Sequence, residues 1–318
     1  MQFLALVALA CAVSAQTVNK IVLTNDDGCV AYLWLASFFN LDVGWAVAQI
    51  RAQNDALNAA GYNVVLSCPA NNESGTGSSS ETPTTLESPC EFDTCPTGSP
   101  ATGFNTTDPR LNYVNAFPVD AARFGIQTLA PEFFNGSKPD FVVSGPNVGN
   151  NLGLAVLFSG TIGAASEAAL EGIPSAAFSG ATGDEVSYTT LTTAPASADS
   201  EAAVIYSALT VSFLDVLLAS SAPILPSGIS LNVNYPSTTS CTSVSDFKFV
   251  LTRIFADPFV TDVNPCGNPH LPTESSVISM AGCFATVSVF DASTKLDANA
   301  ANQAIVLDKL ASILTCIN

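Results

Sequence analysis

The chain has a single histidine and few charged residues of either sign. Charged residues make up 11% of its 318 residues, and His270 stands alone in a proline-rich stretch, NPHLP. A zinc site with two histidine ligands is therefore excluded. A Ser-His-Asp hydrolase would depend on His270, and no GxSxG elbow accompanies it. An Arg-His-Gly motif for phosphoryl transfer to histidine is also absent.

Basic residues are scarce, with 9 against 27 acidic residues and a net charge of −18. An acidic surface repels nucleic acid and anionic membranes, so we expect neither a nucleic acid polymer nor a membrane as a partner. A small anion would need local help from backbone N–H groups or a metal ion. The loop GPNVGNNLG at 145–153 matches neither the GxGxxG fingerprint nor the P-loop.

Long apolar runs are absent except at the N-terminus, where MQFLALVALACAVSAQ contains Val13-Ser14-Ala15 before a predicted cut after Ala15. Residues 1–15 are predicted to be a signal peptide, and the mature protein is predicted to be secreted. The alternative is a buried N-terminal strand or helix. No other run is long and clean enough to span a bilayer.

Secretion predicts disulfides, and eight cysteines follow the predicted signal peptide. An even number in an oxidising compartment favours bridges over metal thiolates. Cys90 and Cys95 are predicted to pair with each other, and the other connections stay open. Sequons at Asn72, Asn105 and Asn135 predict a glycoprotein.

Hydrophobic periodicity predicts an α/β fold with a parallel sheet covered by helices. Two short apolar runs, IVL and YNVVLSC, flank a segment with helical period, which is the pattern of a βαβ unit. One domain is predicted for residues 16–318, with a C-terminal extension from about 225. We expect strands at 21–23, 62–68, 141–144, 175–179, 229–234 and 283–290, helices at 45–60, 161–172, 201–219 and 300–315, and a loop at 71–109.

Polar clusters follow several predicted strands, where parallel sheets bind ligands. Two adjacent aspartates, with hydroxyl and amide oxygens from other loops, suit Mg²⁺, Mn²⁺ or Ca²⁺. An Asx-turn or a helix cap is the alternative. A hydroxyl residue and glycine at a helix start offer free N–H groups to an anion, or form a simple N-cap. The clusters are Asn25-Asp26-Asp27, the PANNESG loop with Ser74, the loop with Asn147 and Asn151, and Ser159-Gly160-Thr161.

Four blocks carry a family resemblance: IVLTNDDG, CPANNESG, FVVSGPNVGNNLG and LFSGTIGAASEAALEGIPSAAFS. In this order they resemble the SurE-like family of survival-protein nucleotidases, which are metal-dependent phosphomonoesterases. The match runs from about residue 20 to 180, and more loosely through ISLNVNYP. The resemblance implies a Rossmann-like core with helices on both faces and a homodimer formed by exchange of C-terminal elements.

The resemblance also implies a secreted phosphomonoesterase that uses Mg²⁺ or Mn²⁺ on a small phosphomonoester substrate. Asp26 and Asp27 are the implied catalytic residues, with Asp26 assisting the attacking water as a base. Asp26, Asp27, Ser74 and Asn147 are the implied metal ligands. The implied substrate-binding residues are Asn25, Asn151, Ser159, Gly160 and Thr161.

The chain departs from the family pattern in two places. The loop before Ser74 reads Asn71-Asn72-Glu73 without Arg or Lys, which favours an acid-phosphatase-like hydrolase over a strict nucleotidase. The stretch CVAYLWLASFFNLDVG at 29–44 separates NDDG from the first helix. Because its removal restores the family spacing between NDDG and the first helix, it is interpreted as a retained intron. The alternative is an apolar lid, which the even cysteine count favours. The alternative function is a catalytically impaired secreted binding protein on the same fold.

Overall fold

The structure is a computed structural model, which describes residues 19–26 and 45–317. The predicted signal peptide, Asp27 and the 29–44 stretch lie outside the described residues. The predictions made for them therefore stay predictions.

The described strands form one nine-stranded sheet in the order β3-β4-β2-β1-β5-β6-β7-β9-β8. Strands β4, β2, β1, β5, β6 and β7 pair in parallel, whereas β3 and β9 run antiparallel to β4 and β7. The predicted parallel-sheet α/β class is confirmed. The strands are β1 Lys20–Thr24, β2 Asn63–Pro69, β3 Thr102–Asn105, β4 Asp108–Val114, β5 Phe141–Val148, β6 Ser175–Gly180, β7 Ile229–Tyr235, β8 Lys248–Thr252 and β9 Phe284–Asp291.

Helices cover both faces of this sheet, because alternate strand residues point to opposite sides. Ile21 of β1 packs into a core on one face with the first and seventh helices of the chain. Val22 packs into a core on the other face with the fifth helix. The helices are α1 Ala48–Ala59, α2 Pro118–Phe124, α3 Ala130–Phe133, α4 Ala155–Phe158, α5 Gly160–Leu170, α6 Thr190–Thr193, α7 Ala198–Leu218, α8 Glu274–Ile278 and α9 Ala300–Leu310, with a π-helical turn at Gly125–Leu129 between α2 and α3.

Helix α7 is long and apolar enough, by length and composition, to cross a membrane. Half of its apolar window is buried inside the protein. Leu209 and Phe213 enter the main core, and Ala203 packs against Ala48 and Ala52 of α1. This burial is typical of a core helix in a globular protein.

Several elements differ from the sequence prediction. The segment 71–109, predicted to be a loop, contains β3 and the start of β4. The sequence does not predict these strands because the polar segment between them hides the alternation that buries Leu111 and Tyr113. Helix α2 begins at Pro118, a position where proline fits the first helical turn. The residues after 225 contribute β7, β8 and β9 to the same sheet.

Three disulfides are present among the described residues. The predicted Cys90–Cys95 bridge is confirmed, and it closes a loop beside β2. The bridges Cys241–Cys283 and Cys266–Cys316 tie the strands and the chain end of the C-terminal third together. Cys68 is buried on β2.

A buried ion pair fixes the segment after β8. Arg253 donates to Asp262 at 2.8 Å, and both side chains are almost fully buried. The other Asp262 oxygen accepts from Gln303 of α9 at 2.8 Å. Because the carboxylate satisfies several donors at once, its removal leaves a buried guanidinium without its main partner.

We therefore expect Asp262→Ala to lower the free energy of unfolding by about 3–5 kcal/mol in urea titrations. Asp308→Ala, at an exposed position of α9, is the matched control and should stay within about 0.5 kcal/mol of the wild type. Equal stability of the two variants would contradict the structural role of the ion pair.

Candidate active site

The candidate site lies at the point in the sheet where the order of strand addition reverses. From β1, the chain builds outward through β2 on one side and through β5 on the other. Such a switch point opens a crevice at the carboxyl ends of the two strands. Asn25 and Asp26 follow β1, Asn147 lies in the last part of β5, and Thr161 lies in the first turn of α5. All four are buried.

The Thr161 hydroxyl is the centre of this group. It donates a short hydrogen bond to Oδ1 of Asp26. It also lies 3.2 Å from Oδ1 of Asn147 and 3.5 Å from Oδ1 of Asn25. Three acceptor oxygens therefore converge on a group that carries one proton.

The two amides are oriented with their oxygens toward this point. Nδ2 of Asn147 donates to the carbonyls of Val148 and Gly149 at 2.9 and 2.7 Å. Nδ2 of Asn25 donates to the Pro146 carbonyl at 3.4 Å. Because one proton satisfies one acceptor, the remaining oxygens form an electron-rich pocket, and carboxylate and amide oxygens are ligands that Mg²⁺ and Mn²⁺ accept.

The Asp26 carboxylate rests against the start of α5. The Thr161 hydroxyl donates to it, and the backbone N–H groups of Gly160 and Thr161 face it. Burial raises the pKa of Asp26, and these hydrogen bonds oppose the shift. A Cβ added at Gly160 would lie 2.7 Å from Oδ2 of Asp26, so glycine is required for this approach.

Ser159 caps α5, since its hydroxyl accepts from the N–H of Ile162 at 3.1 Å. The N-cap alternative is therefore present, and anion binding at the start of α5 stays a prediction. The N–H groups of Gly160 and Thr161 face the Asp26 carboxylate.

The loop with Ser74 lies beside Asp26. The N–H of Glu73 donates to the backbone carbonyl of Asp26 at 3.5 Å. A Cβ added at Gly163 would lie 1.8 Å from the Gly77 carbonyl, so glycine lets this loop lie directly on α5. Ser74 is half-buried. Burial, with a contribution from Glu81, raises the pKa of Glu73 to about 7.

The Asn151 side chain belongs to a second network. Its Nδ2 donates to Ser179 at 2.9 Å, and its backbone N–H donates to Oδ1 of Asn234 at 2.9 Å. Its carbonyl accepts from Asn232 at 2.9 Å. The structure thus gathers Asn25, Asp26, Asn147 and Thr161 into one group and holds Asn151 in the adjacent one.

Glu274 anchors this second network, and no sequence motif points to it. Its carboxyl group is fully buried and accepts from the N–H of Gly153 and from Nδ2 of Asn232, both at 2.9 Å. Ser288 contacts the same group at 2.9 Å. Burial raises the pKa of Glu274 to about 8. Glu274 therefore fixes the loop that joins Asn147 to α4.

Lys295 is a second residue that sequence reasoning missed. It lies between β9 and α9, far in sequence from every polar cluster, and is 7% exposed. Burial lowers the pKa of Lys295 to about 8, and the charge of Asp26 opposes the shift. A buried cation therefore lies within electrostatic range of the central carboxylate.

The oxygen set fits a hard divalent cation. Within residues 19–26 and 45–317, His, Cys, Asp and Glu do not group in threes as a metal site. The donors here are one carboxylate and amide and hydroxyl oxygens. Asp27, the other predicted carboxylate ligand, lies outside those ranges.

In open α/β sheets, the crevice at the switch point is where ligands bind, and here it holds a buried carboxylate with amide and hydroxyl oxygens. The sequence model of the family described as "Survival protein SurE" matches residues 21–257. This chain belongs to the SurE family.

Two relatives illustrate the range of names in the family. An acid phosphatase of Yarrowia lipolytica is 34% identical over 314 residues, covering 88% of this chain and 80% of that protein. A 5'-nucleotidase SurE of Gloeobacter violaceus is 33% identical over 162 residues, covering 50% of this chain and 49% of that protein. The chain thus spans about half the length of this bacterial relative.

A solved structure shares the fold. The SurE protein from Aquifex aeolicus superposes with a TM-score of 0.52 at 22% identity, covering 86% of this chain and 93% of that chain. Lys295 and Glu274 lie beyond the part that the family model matches.

Removing the Thr161 hydroxyl should leave the Asp26 carboxylate and two amide oxygens without their shared donor. We expect Thr161→Val to lower the free energy of unfolding by about 1–3 kcal/mol in urea titrations. Thr161→Ser, which keeps the hydroxyl, is the matched control and should retain most of the wild-type free energy of unfolding. A valine variant as stable as the wild type would contradict the central role of this hydroxyl.

Glu274 should make stability depend on pH. The folded state holds its proton up to about pH 8, whereas the unfolded state loses it near 4.5. The folded state binds more protons in between, so stability should fall as pH rises through this window, by at most about 1.4 kcal/mol per pH unit. Urea titrations at pH 5, 6.5 and 8 should show this slope, and Glu274→Gln should flatten it. Glu201→Gln, at an exposed position of α7, should leave it unchanged, and a Glu274→Gln slope equal to the wild type would refute the assignment.

Proposed function

We propose that this protein is a secreted, divalent-metal-dependent phosphomonoesterase of the nucleotidase and acid-phosphatase type. The observation that carries the proposal is the convergence of Asp26, Asn147 and Asn25 oxygens on the single proton of Thr161. The surplus of acceptor oxygens suits Mg²⁺ or Mn²⁺. The SurE family is generally metal-dependent, which agrees with this donor set.

Asp26 and Asn147 would hold the cation, joined by Asp27 and Ser74 as the resemblance implies. A bound divalent ion would polarise the phosphoryl oxygens and acidify a water molecule. The hydrogen bond from the Thr161 hydroxyl and the N–H groups at the start of α5 hold the Asp26 carboxylate, so its geometry is prepared before a ligand arrives. Preorganised groups of this kind lower the reorganisation that a reaction requires.

The two aspartates then divide the work. Asp26, held against α5, would accept the proton of the attacking water as a base, and Asp27 would help to hold the cation. Asn25 and the start of α5 at Ser159, Gly160 and Thr161 would face the phosphoryl group. Asn151, supported by Asn232 and Asn234, would act by shaping the adjoining loop.

The substrate class is a small phosphomonoester. The loops at 69–78 and 144–154 contain no Lys or Arg, so they offer no cluster of cations for a di- or triphosphate. This composition and the 34% identical acid phosphatase favour broad action on monophosphates. Three disulfides support the secreted location.

The proposal predicts hydrolysis of an aryl phosphate ester that EDTA abolishes and added Mn²⁺ or Mg²⁺ restores. Asp26→Asn should lower kcat by about 10²-fold or more, because it removes the charge that binds the cation. The matched control is Asp140→Asn, which should keep wild-type activity. Asp140 is an exposed aspartate beside Lys20 at the amino ends of β1 and β5, whereas the site lies at their carboxyl ends. The measurement is the rate of phosphate release.

Hydrolysis that persists in EDTA and in Asp26→Asn would contradict the metal-dependent mechanism. Absence of hydrolysis with every ester, together with retained phosphate binding, would favour the binding-protein alternative. His270→Ala should remain fully active, since His270 lies in an exposed loop where its ring contacts the Val260 carbonyl.

A further inference from the structure

The chain has nine Lys and Arg residues, and three of them are buried. Arg51 stacks over the rings of Trp45 and Tyr188 at 5.4 and 4.5 Å. Arg253 is paired with a carboxylate. Lys295 has neither kind of partner in the part of the chain that the structure describes. Burying a charge without a partner is costly, so this lysine requires an explanation.

The hydrogen-bonding capacity of Lys295 is mostly unused. Its Nζ donates to the Leu157 carbonyl at 3.4 Å. An ammonium group carries three donors, and within residues 19–26 and 45–317 no carboxylate lies within ion-pair distance of it. Lys309, by comparison, donates at 2.7 Å to Ser221 and also contacts Ser220.

The backbone holds Lys295 in place. Its N–H donates to the Asp291 carbonyl at 2.7 Å, in a connection closed by the bridge between Phe290 and Asp297. Lys295 adopts a left-handed φ of 58°. A non-glycine residue in this region is uncommon and marks a position that its surroundings constrain.

The ammonium points toward the candidate active site. Leu157, which accepts its hydrogen bond, lies in the short helix α4 directly before Ser159 and the start of α5. The charge of Asp26 acts on Lys295. The carboxylate, the first turn of α5 and this ammonium thus lie in one neighbourhood.

A phosphate dianion brought next to Asp26 meets a carboxylate of its own sign. A bound divalent cation would offset part of this repulsion, and the described loops after β1, β2 and β5 contain no Lys or Arg to add to it. Lysine is a common phosphate-binding residue because its compact charge and three donors match phosphoryl oxygens.

We propose that Lys295 is the phosphate-binding cation of this site, and that its two unused donors contact phosphoryl oxygens of the bound ester. The proposal rests on the phosphomonoesterase function proposed above. It places the cation in the C-terminal connection between β9 and α9, outside the residues 21–257 that define the family match.

The test compares inorganic phosphate inhibition, aryl phosphate hydrolysis and Mn²⁺ affinity in Lys295→Met and the wild type. Methionine keeps an unbranched stem and removes the charge. We expect the inhibition constant for phosphate to rise at least about tenfold, the loss expected for a charge-assisted hydrogen bond. Mn²⁺ should bind at least as tightly as before, because a neighbouring positive charge has gone. Lys309→Met, far from the site, should change neither constant.

Weaker phosphate binding without weaker Mn²⁺ binding would identify Lys295 as a substrate-binding residue. A purely structural role would weaken the binding of both phosphate and Mn²⁺. Lys295→Arg keeps the charge and should recover at least part of the phosphate affinity. If Lys295→Met fails to fold, Lys295→Gln replaces it in the same assays. A wild-type enzyme that hydrolyses the ester, with folded Lys295 variants of unchanged phosphate inhibition, overturns this inference alone. A wild-type protein without hydrolysis or phosphate binding overturns both proposals.

Discussion

The site depends on a shortage of donors, because the Thr161 hydroxyl has a single proton and three buried oxygens face it. Burial makes this shortage expensive, since an unsatisfied acceptor away from water loses its solvation. The two amide oxygens stay oriented toward the hydroxyl because the Nδ2 groups of Asn25 and Asn147 donate to backbone carbonyls. A divalent cation is the natural partner for such a group, and the remaining structure can be understood as the support that holds the oxygens together.

The sheet order provides the first part of that support. β1 and β5 are neighbouring strands. After β1 the chain continues to β2 on one side of this pair, and after β5 it continues to β6 on the other side. The residues that follow the two strands therefore lie at a common crevice. Gly160 allows α5 to approach Asp26, and Gly163 allows the Ser74 loop to lie on the same helix. Glu274 then fixes the loop after β5 through the N–H of Gly153. Distant parts of the chain therefore determine the position of a few oxygens.

The sequence predicted the parts of this arrangement that depend on local pattern. Buried strands, the switch-point location, the Cys90–Cys95 bridge and the cluster around Asp26 all follow from short segments. The β3–β4 hairpin was missed because its polar turn and edge position weaken the alternation. Glu274 and Lys295 were missed for a different reason: a buried acid or lysine in a loop looks like any surface charge until the fold brings it inside. The side chain of Asn151 donates to Ser179, and its backbone contacts Asn232 and Asn234; its predicted role in substrate binding stays a prediction.

The central claim is that Asp26 and Asn147 hold a divalent cation. The most direct measurement is a crystal structure of the wild-type protein soaked with Mn²⁺, with the ion located by its anomalous scattering. The account predicts one strong peak in contact with the Asp26 carboxylate and the Asn147 amide oxygen, and its loss in Asp26→Asn. If the wild-type protein hydrolyses the ester but its Mn²⁺-soaked crystals show no peak at this position, or show Mn²⁺ bound elsewhere, binding of the cation by Asp26 and Asn147 is contradicted.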